Sequence, residues 1–146
     1  MASTMYVFNS FRKYVGDGTL DLDTDNVKLG LLTNAYSINL GHTVLTDVSG
    51  SEVSNGNGYT TGGILLANKT LTYSGTTAKW QADNPVFSAL TKTFRWAFLY
   101  ANKTVGGVID PLILAILLDN TPADIVVSGA DYSIQWHATN GILTIT

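Results

Sequence analysis

Asp21-Leu22-Asp23-Thr24-Asp25 is the densest run of hard oxygen donors in the sequence. Alternate carboxylates of this kind open a calcium loop. An EF-hand loop then needs glycine at its sixth place for a sharp turn and glutamate at its twelfth for bidentate ligation. Those places hold Asn26 and Leu32. The run therefore reads as a polar turn leading into a strand at Val27, with a divalent site of another kind left open at Asp21, Asp23 and Asp25.

His42 and His137 are the only imidazoles. General base catalysis by either requires a nucleophile or carboxylate within hydrogen-bond reach. No G-x-S-x-G, H-E-x-x-H or P-loop pattern supplies one. Trp80, Trp96 and Trp136 could stack sugars, but each is in phase with the apolar side of its segment, as core residues are. The aspartates do not reveal a pair at the roughly 5 or 9 Å separation that glycoside hydrolysis uses. Gly56-Asn57-Gly58-Tyr59-Thr60-Thr61-Gly62-Gly63 is rich enough in glycine to cradle a phosphate, yet Ile64-Leu65-Leu66-Ala67 follows it where a cradle needs a helix N-terminus. A multi-turn corner is the simpler reading. Asn68-Lys69-Thr70 and Asn102-Lys103-Thr104 match glycosylation sequons, read as chance matches because the N-terminal MASTMYVFNSFRKYVG lacks the basic start and unbroken apolar stretch of a secretory signal. The expectation is a protein that is not an enzyme, with no catalytic, cofactor-binding or metal-ligating residue and no cofactor.

The elements that carry these residues follow from periodicity. Residues 1–16 read as a helical segment: Ser3 or Thr4 can cap it, Gly16 stops it, and Val7, Phe8, Phe11, Tyr14 and Val15 recur at helical spacing. Beyond it, Thr, Gly, Asn, Val and Tyr dominate, Glu52 is the only glutamate, and strands are expected. They are Val27–Leu32, then Thr70–Tyr73 and Thr77–Asp83 around Ser74-Gly75. Next come a strand with Phe94, Trp96, Phe98 and Tyr100 on one face, a doubly apolar Leu112–Leu118, Tyr132–Ala138, and Ile142–Thr146. Residues 34–63 form a long Gly/Ser/Asn-rich loop, within which Thr43–Val53 has room for a short helix. The class is all-β, an antiparallel β-sandwich or jelly-roll-like single domain over residues 1–146.

Composition narrows the function. The chain has 146 residues, no cysteine, a formal charge of −3, 13% charged and 45% hydrophobic residues. Disulfides, thiolate zinc and cysteine nucleophiles are excluded. Charged residues make up about a quarter of an ordinary domain, so this surface is weakly solvated, which suits burial against copies of itself or a partner. The eight cations are scattered, which argues against nucleic acid. The longest apolar run, Leu112–Leu118, is too short for a membrane span. A soluble homo-oligomer is expected.

The order of elements carries a resemblance. The aromatic N-terminal segment precedes Leu20-Asp21-Leu22-Asp23-Thr24-Asp25 and Val27-Lys28-Leu29. Thr43–Val53 and Glu52-Val53-Ser54 lead to Gly58-Tyr59-Thr60-Thr61-Gly62-Gly63, an aromatic strand surrounds Arg95, and Gly141-Ile142-Leu143-Thr144 closes the chain. Along nearly its whole length this resembles tailed-bacteriophage virion proteins, including capsid decoration (cement) proteins. The resemblance implies a β-sandwich on the capsid exterior of the virion, made in the host cytoplasm. Its partner would be the outer surface of the major capsid protein, and it would be a trimer or dimer that stabilises neighbouring capsomers. Residues 1–16 and the 34–63 loop are the expected contact elements. Another virion component (tail, baseplate or fibre subunit) and a carbohydrate-binding module are the alternatives.

Overall fold

The computed structural model describes residues 2–146; Met1, the first residue of the expected helical segment, lies outside them. The fold is all-β, antiparallel and sandwich-like. Its centre is a five-stranded sheet in the order β1-β10-β7-β2-β3, built from Thr4–Val7, Leu112–Leu117, Trp96–Ala101, Val27–Leu32 and Ile64–Leu65. The interior strands β7 and β10 read Trp-Ala-Phe-Leu-Tyr-Ala and Leu-Ile-Leu-Ala-Ile-Leu, and they are buried almost throughout. Strands apolar in both phases belong in a sheet covered on both faces, and two core clusters provide that cover. One face carries Val27, Leu29, Leu31, Ala97, Leu99, Leu114 and Ile116. The other carries Leu32, Trp96, Phe98, Tyr100, Leu112 and Ala115.

The first face packs against a layer of two further sheets. Strands β4 (Thr70–Ser74), β5 (Thr77–Gln81) and β12 (Leu143–Ile145) form one, in the order β12-β5-β4, and β6 (Val86–Phe94) pairs with β11 (Ile125–Ser133) in the other. Trp80 of β5, Phe87, Leu90 and Phe94 of β6, and Phe11 of the helix α1 (Asn9–Gly16) enter this core. The second face is covered by the long loop. Tyr36 and Val48 are buried there with Phe8. Two short 3-10 turns, Leu45–Asp47 and Ser49–Ser51, occupy the stretch where a short helix is expected. Val53 and Tyr59 of the same loop reach the opposite core. The loop is thus the outer cover of the central sheet, and most of its large apolar side chains are buried within the molecule, Leu40 excepted. A small hairpin, β8 (Thr104–Val105) with β9 (Val108–Ile109), completes the chain.

Three sequence expectations are corrected. The helix does not begin at Ser3 or Thr4. Thr4–Val7 is a strand paired antiparallel with β10, Thr4 opposite Leu117 and Val7 opposite Leu114, and the helix starts only after Phe8, whose backbone is extended (φ −64°, ψ 145°). Thr, Tyr and Val suit a strand, and β10 offers them a full ladder of hydrogen bonds. Gly16 does end the helix.

The second correction concerns Phe94, which does not share a face with Trp96, Phe98 and Tyr100. The chain bends at Arg95, and Phe94 joins the core of Ala97 and Leu99. The third concerns Tyr132–Ala138, of which only Tyr132 and Ser133 are strand. The ladder with β6 ends at Ser133 opposite Val86, because the next partner is Pro85. Proline has no N–H to continue it, although its carbonyl still accepts from Ile134 at 3.1 Å. Apart from Phe94 and the Tyr132-Ser133 end, the nine-residue strands β6 and β11 have no counterpart among the expected elements.

Candidate functional site

The aspartate run is a turn held by its own side chains. Asp21 Oδ1 accepts from the Asp23 N–H at 3.0 Å and the Thr24 N–H at 3.2 Å, and Asp25 Oδ2 accepts from the Asp21 N–H at 2.8 Å. Hydrogen bonds from Thr24, then Asp23, hold the Asp21 carboxyl below the usual carboxylate range. Lys103 Nζ lies 2.8 Å from both oxygens of Asp25 and ties this turn to the β8–β9 side. Among the described residues, no three His, Asp or Glu side chains converge as metal ligands do.

The histidines are far apart in role as well as in sequence. His42 Nδ1 lies 3.2 Å from the Tyr36 hydroxyl. His137 Nδ1 accepts from the Thr139 and Asn140 N–H groups at 3.2 and 3.1 Å, closing the turn that a bridge between His137 and Gly141 defines. Trp80 is fully buried, its indole N–H donating to the Leu22 carbonyl at 2.9 Å. Trp96 is buried edge-on to the Tyr36 ring. Trp136 is half-buried and donates to the Asp83 carbonyl at 3.2 Å. The three indoles share no exposed plane, so they form no sugar-stacking platform.

The glycine-rich corner has the most organised polar chemistry, and it centres on Glu52, which the sequence shows as the lone glutamate and as part of the Glu52-Val53-Ser54 motif without giving it a structural role. Glu52 Oε1 accepts from the Tyr59 hydroxyl at 2.6 Å and from the Gly62 N–H at 2.7 Å. The Tyr59 hydroxyl also accepts from the buried Leu31 N–H at 3.1 Å, and the Tyr100 hydroxyl donates to the Gly62 carbonyl at 2.6 Å. Burial, with the neighbouring Glu52 carboxylate, pushes the Tyr59 phenol far above its ordinary range. Gly63 has φ +82°, and a Cβ there would collide with the Leu29 carbonyl, so only glycine lets the chain run this close to β2. A strand, β3, follows. The corner anchors the long loop to the sheet and offers no open anion cradle.

Some large apolar side chains remain exposed. In the β12-β5-β4 sheet, Leu71, Trp80 and Leu143 are cross-strand neighbours, as are Tyr73, Ala78 and Ile145. Both rows share the core-facing side. Trp80 and Leu143 of the first row reach the core, while Leu71 is 39% exposed and the second row overhangs the core: Tyr73 is 85% exposed and Ile145 41%. The opposite side is Thr70, Thr72, Ser74, Thr77, Lys79 and Gln81. The outer edge of β12, Leu-Thr-Ile, carries neither charge nor proline, the usual guards of a free edge. Beside it, an open groove of about 680 Å³ separates β12 from β1, lined in part by Met5, Ile116, Tyr132, Trp136 and Leu143. Val126 of β11 is 72% exposed. Among the described residues, no helix is long and apolar enough to cross a membrane.

No family model matches the chain, and neither a curated protein nor a solved structure matches it significantly.

Proposed function

We propose that this protein is a structural subunit that acts by binding surfaces to one another, most concretely a decoration protein on the outside of a bacteriophage head that bridges neighbouring capsomers. The observation that carries the reading is the overhanging apolar row Tyr73, Ala78 and Ile145 beside the unguarded β12 edge. Exposed tyrosine and aliphatic side chains on a sheet that is otherwise well satisfied are the composition of an interface core. The scarcity of charge supports the same reading, since close approach then strips water from few ions. The chemistry-bearing side chains point the same way: the aspartates, Glu52 and both histidines hold turns and corners, an arrangement that builds a scaffold. Repetition on a lattice multiplies modest contacts into firm attachment, so one small patch per subunit suffices.

The test is the mass of the purified protein in solution together with its binding to purified phage heads, followed by imaging of the decorated particle. A closed dimer or trimer that sediments with heads and gives density on their outer surface is expected. A monomer without affinity for heads overturns the reading, and density on a tail, baseplate or fibre moves the protein to that part of the virion.

A further inference from the structure

Three Asn-Gly pairs occur in the sequence: Asn55-Gly56, Asn57-Gly58 and Asn140-Gly141. Such pairs are chemically labile because glycine has no Cβ to shield its backbone nitrogen. In water that nitrogen can attack the asparagine side-chain carbonyl carbon. In an unfolded chain the three pairs are equivalent, but the fold separates them.

At Asn140-Gly141 the nucleophile is occupied. The Gly141 N–H donates to the His137 carbonyl at 2.8 Å, and Gly141 is buried. At Asn55-Gly56 both reacting ends are held. The Gly56 N–H donates to the Tyr59 carbonyl at 2.7 Å, and Asn55 Oδ1 accepts from the Thr61 N–H at 3.0 Å. At Asn57-Gly58 neither end is held. Both residues are exposed at the tip of the two-residue turn between Gly56 and Tyr59. Among the described residues, neither the Gly58 N–H nor the Asn57 side-chain amide has a hydrogen-bond partner.

We propose that Asn57 is a site of spontaneous deamidation in the folded protein, and that Asn55 and Asn140 are protected by the hydrogen bonds on their glycine nitrogens. The Gly58 nitrogen forms a bond to Asn57 Cγ, the Cγ–Nδ2 bond breaks, and Nδ2 leaves as ammonia with the proton lost from the Gly58 amide. Water then opens the resulting succinimide at either carbonyl, giving aspartate or isoaspartate. Either product adds a negative charge to the exposed tip. Isoaspartate also adds an atom to the backbone of a turn that Gly56 and Tyr59 close at both ends and that the Thr91 N–H anchors through the Asn57 carbonyl at 2.9 Å.

The experiment incubates the full-length protein at mildly alkaline pH, folded and in urea, and localises aspartate and isoaspartate by peptide mapping with fragmentation. In the folded protein Asn57 should convert about tenfold faster than either other site, the factor that one retained hydrogen bond on the nucleophile supplies. In urea the three should convert at similar rates. In the N57Q variant the folded corner should convert only at the slow rate of Asn55. Equal rates at the three sites in the folded protein overturn the proposal, as does faster conversion at Asn55 or Asn140, an inert Asn57 that reacts in urea, or conversion of the N57Q corner at the parent's rate.

Discussion

Glu52 Oε1 receives two donors, Tyr59 Oη and the Gly62 N–H, that lie on opposite sides of the glycine-rich turn. Removing that acceptor strands both donors in a half-buried site, where each unmet group is costly. Glu52→Ala should destabilise the protein by about 1–3 kcal/mol, and Glu52→Gln, which keeps an acceptor oxygen, by less; urea unfolding measures both. Tyr100 extends the same network to the sheet. Burial, with Asp110 and Glu52 as the nearby carboxylates, pushes its phenol up from 10.0 to about 12. The folded state therefore favours the neutral phenol. The stabilisation this gives is fully present below pH 10 and is lost as pH rises through about 12, with Tyr59 shifted in the same direction. Unfolding midpoints should fall over that window, and Tyr100→Phe should flatten the fall. The sequence showed a lone glutamate and a G-Y-T-T-G-G string. It did not show that the two meet, because the contact depends on how a corner folds back on β2. The Asp21–Asp25 turn, by contrast, was legible, since its bonds run between residues two to four apart.

Where an element's partner lay close in sequence, periodicity identified it. The β4–β5 hairpin around Ser74-Gly75 stands where alternation places it. Where the partner was remote, local pattern misled. Thr4–Val7 has a helical continuation in Phe8, Phe11 and Tyr14, and only pairing with β10 near the far end of the chain makes it a strand. Strands β6 and β11 escaped notice because they are mostly exposed and carry bulges at Ala130, which break the two-residue alternation.

The joint between β6 and β7 is pinned at Arg95, whose Nε lies 2.8 Å from Asp124 Oδ1, while Asn34 Nδ2 donates to the other oxygen at 3.0 Å. Arg95→Ala should cost about 1–3 kcal/mol. The double variant Arg95→Ala, Asp124→Ala should cost less than the sum of the single variants, because each single change leaves a charge unpaired. Strand β1 has a second duty at the sheet's edge. A chain lacking residues 2–7 would expose the uncharged backbone edge of Leu112–Leu117, and light scattering should then report aggregation that the full chain does not show.

At the scale of the whole molecule, the central sheet is buried on both faces, and the second face is covered by a loop rather than by another sheet. Sequence pattern located that loop but placed it outside the sandwich as a contact element. Its scattered Tyr36, Val48, Val53 and Tyr59 have no period to reveal that they point inward. With Phe11 and most of the loop's apolar side chains buried internally, exposed apolar residues remain at Leu65, Ile109 and Val126 and on the β12-β5-β4 sheet, where Tyr73 and Ile145 extend beyond the core as one row. If copies associate through that row, the apparent melting temperature should rise with protein concentration, because dimers or trimers bind the native state and not the unfolded chain. The double variant Tyr73→Ser, Ile145→Ser should abolish that dependence and run as a monomer on a sizing column with light scattering. At low concentration its urea midpoint should match the parent within about 0.5 kcal/mol, since neither side chain is part of the packed core. Association unchanged in this variant would place the contact on another surface. Loss of folding would instead mean that the overhanging row supports the sheet itself.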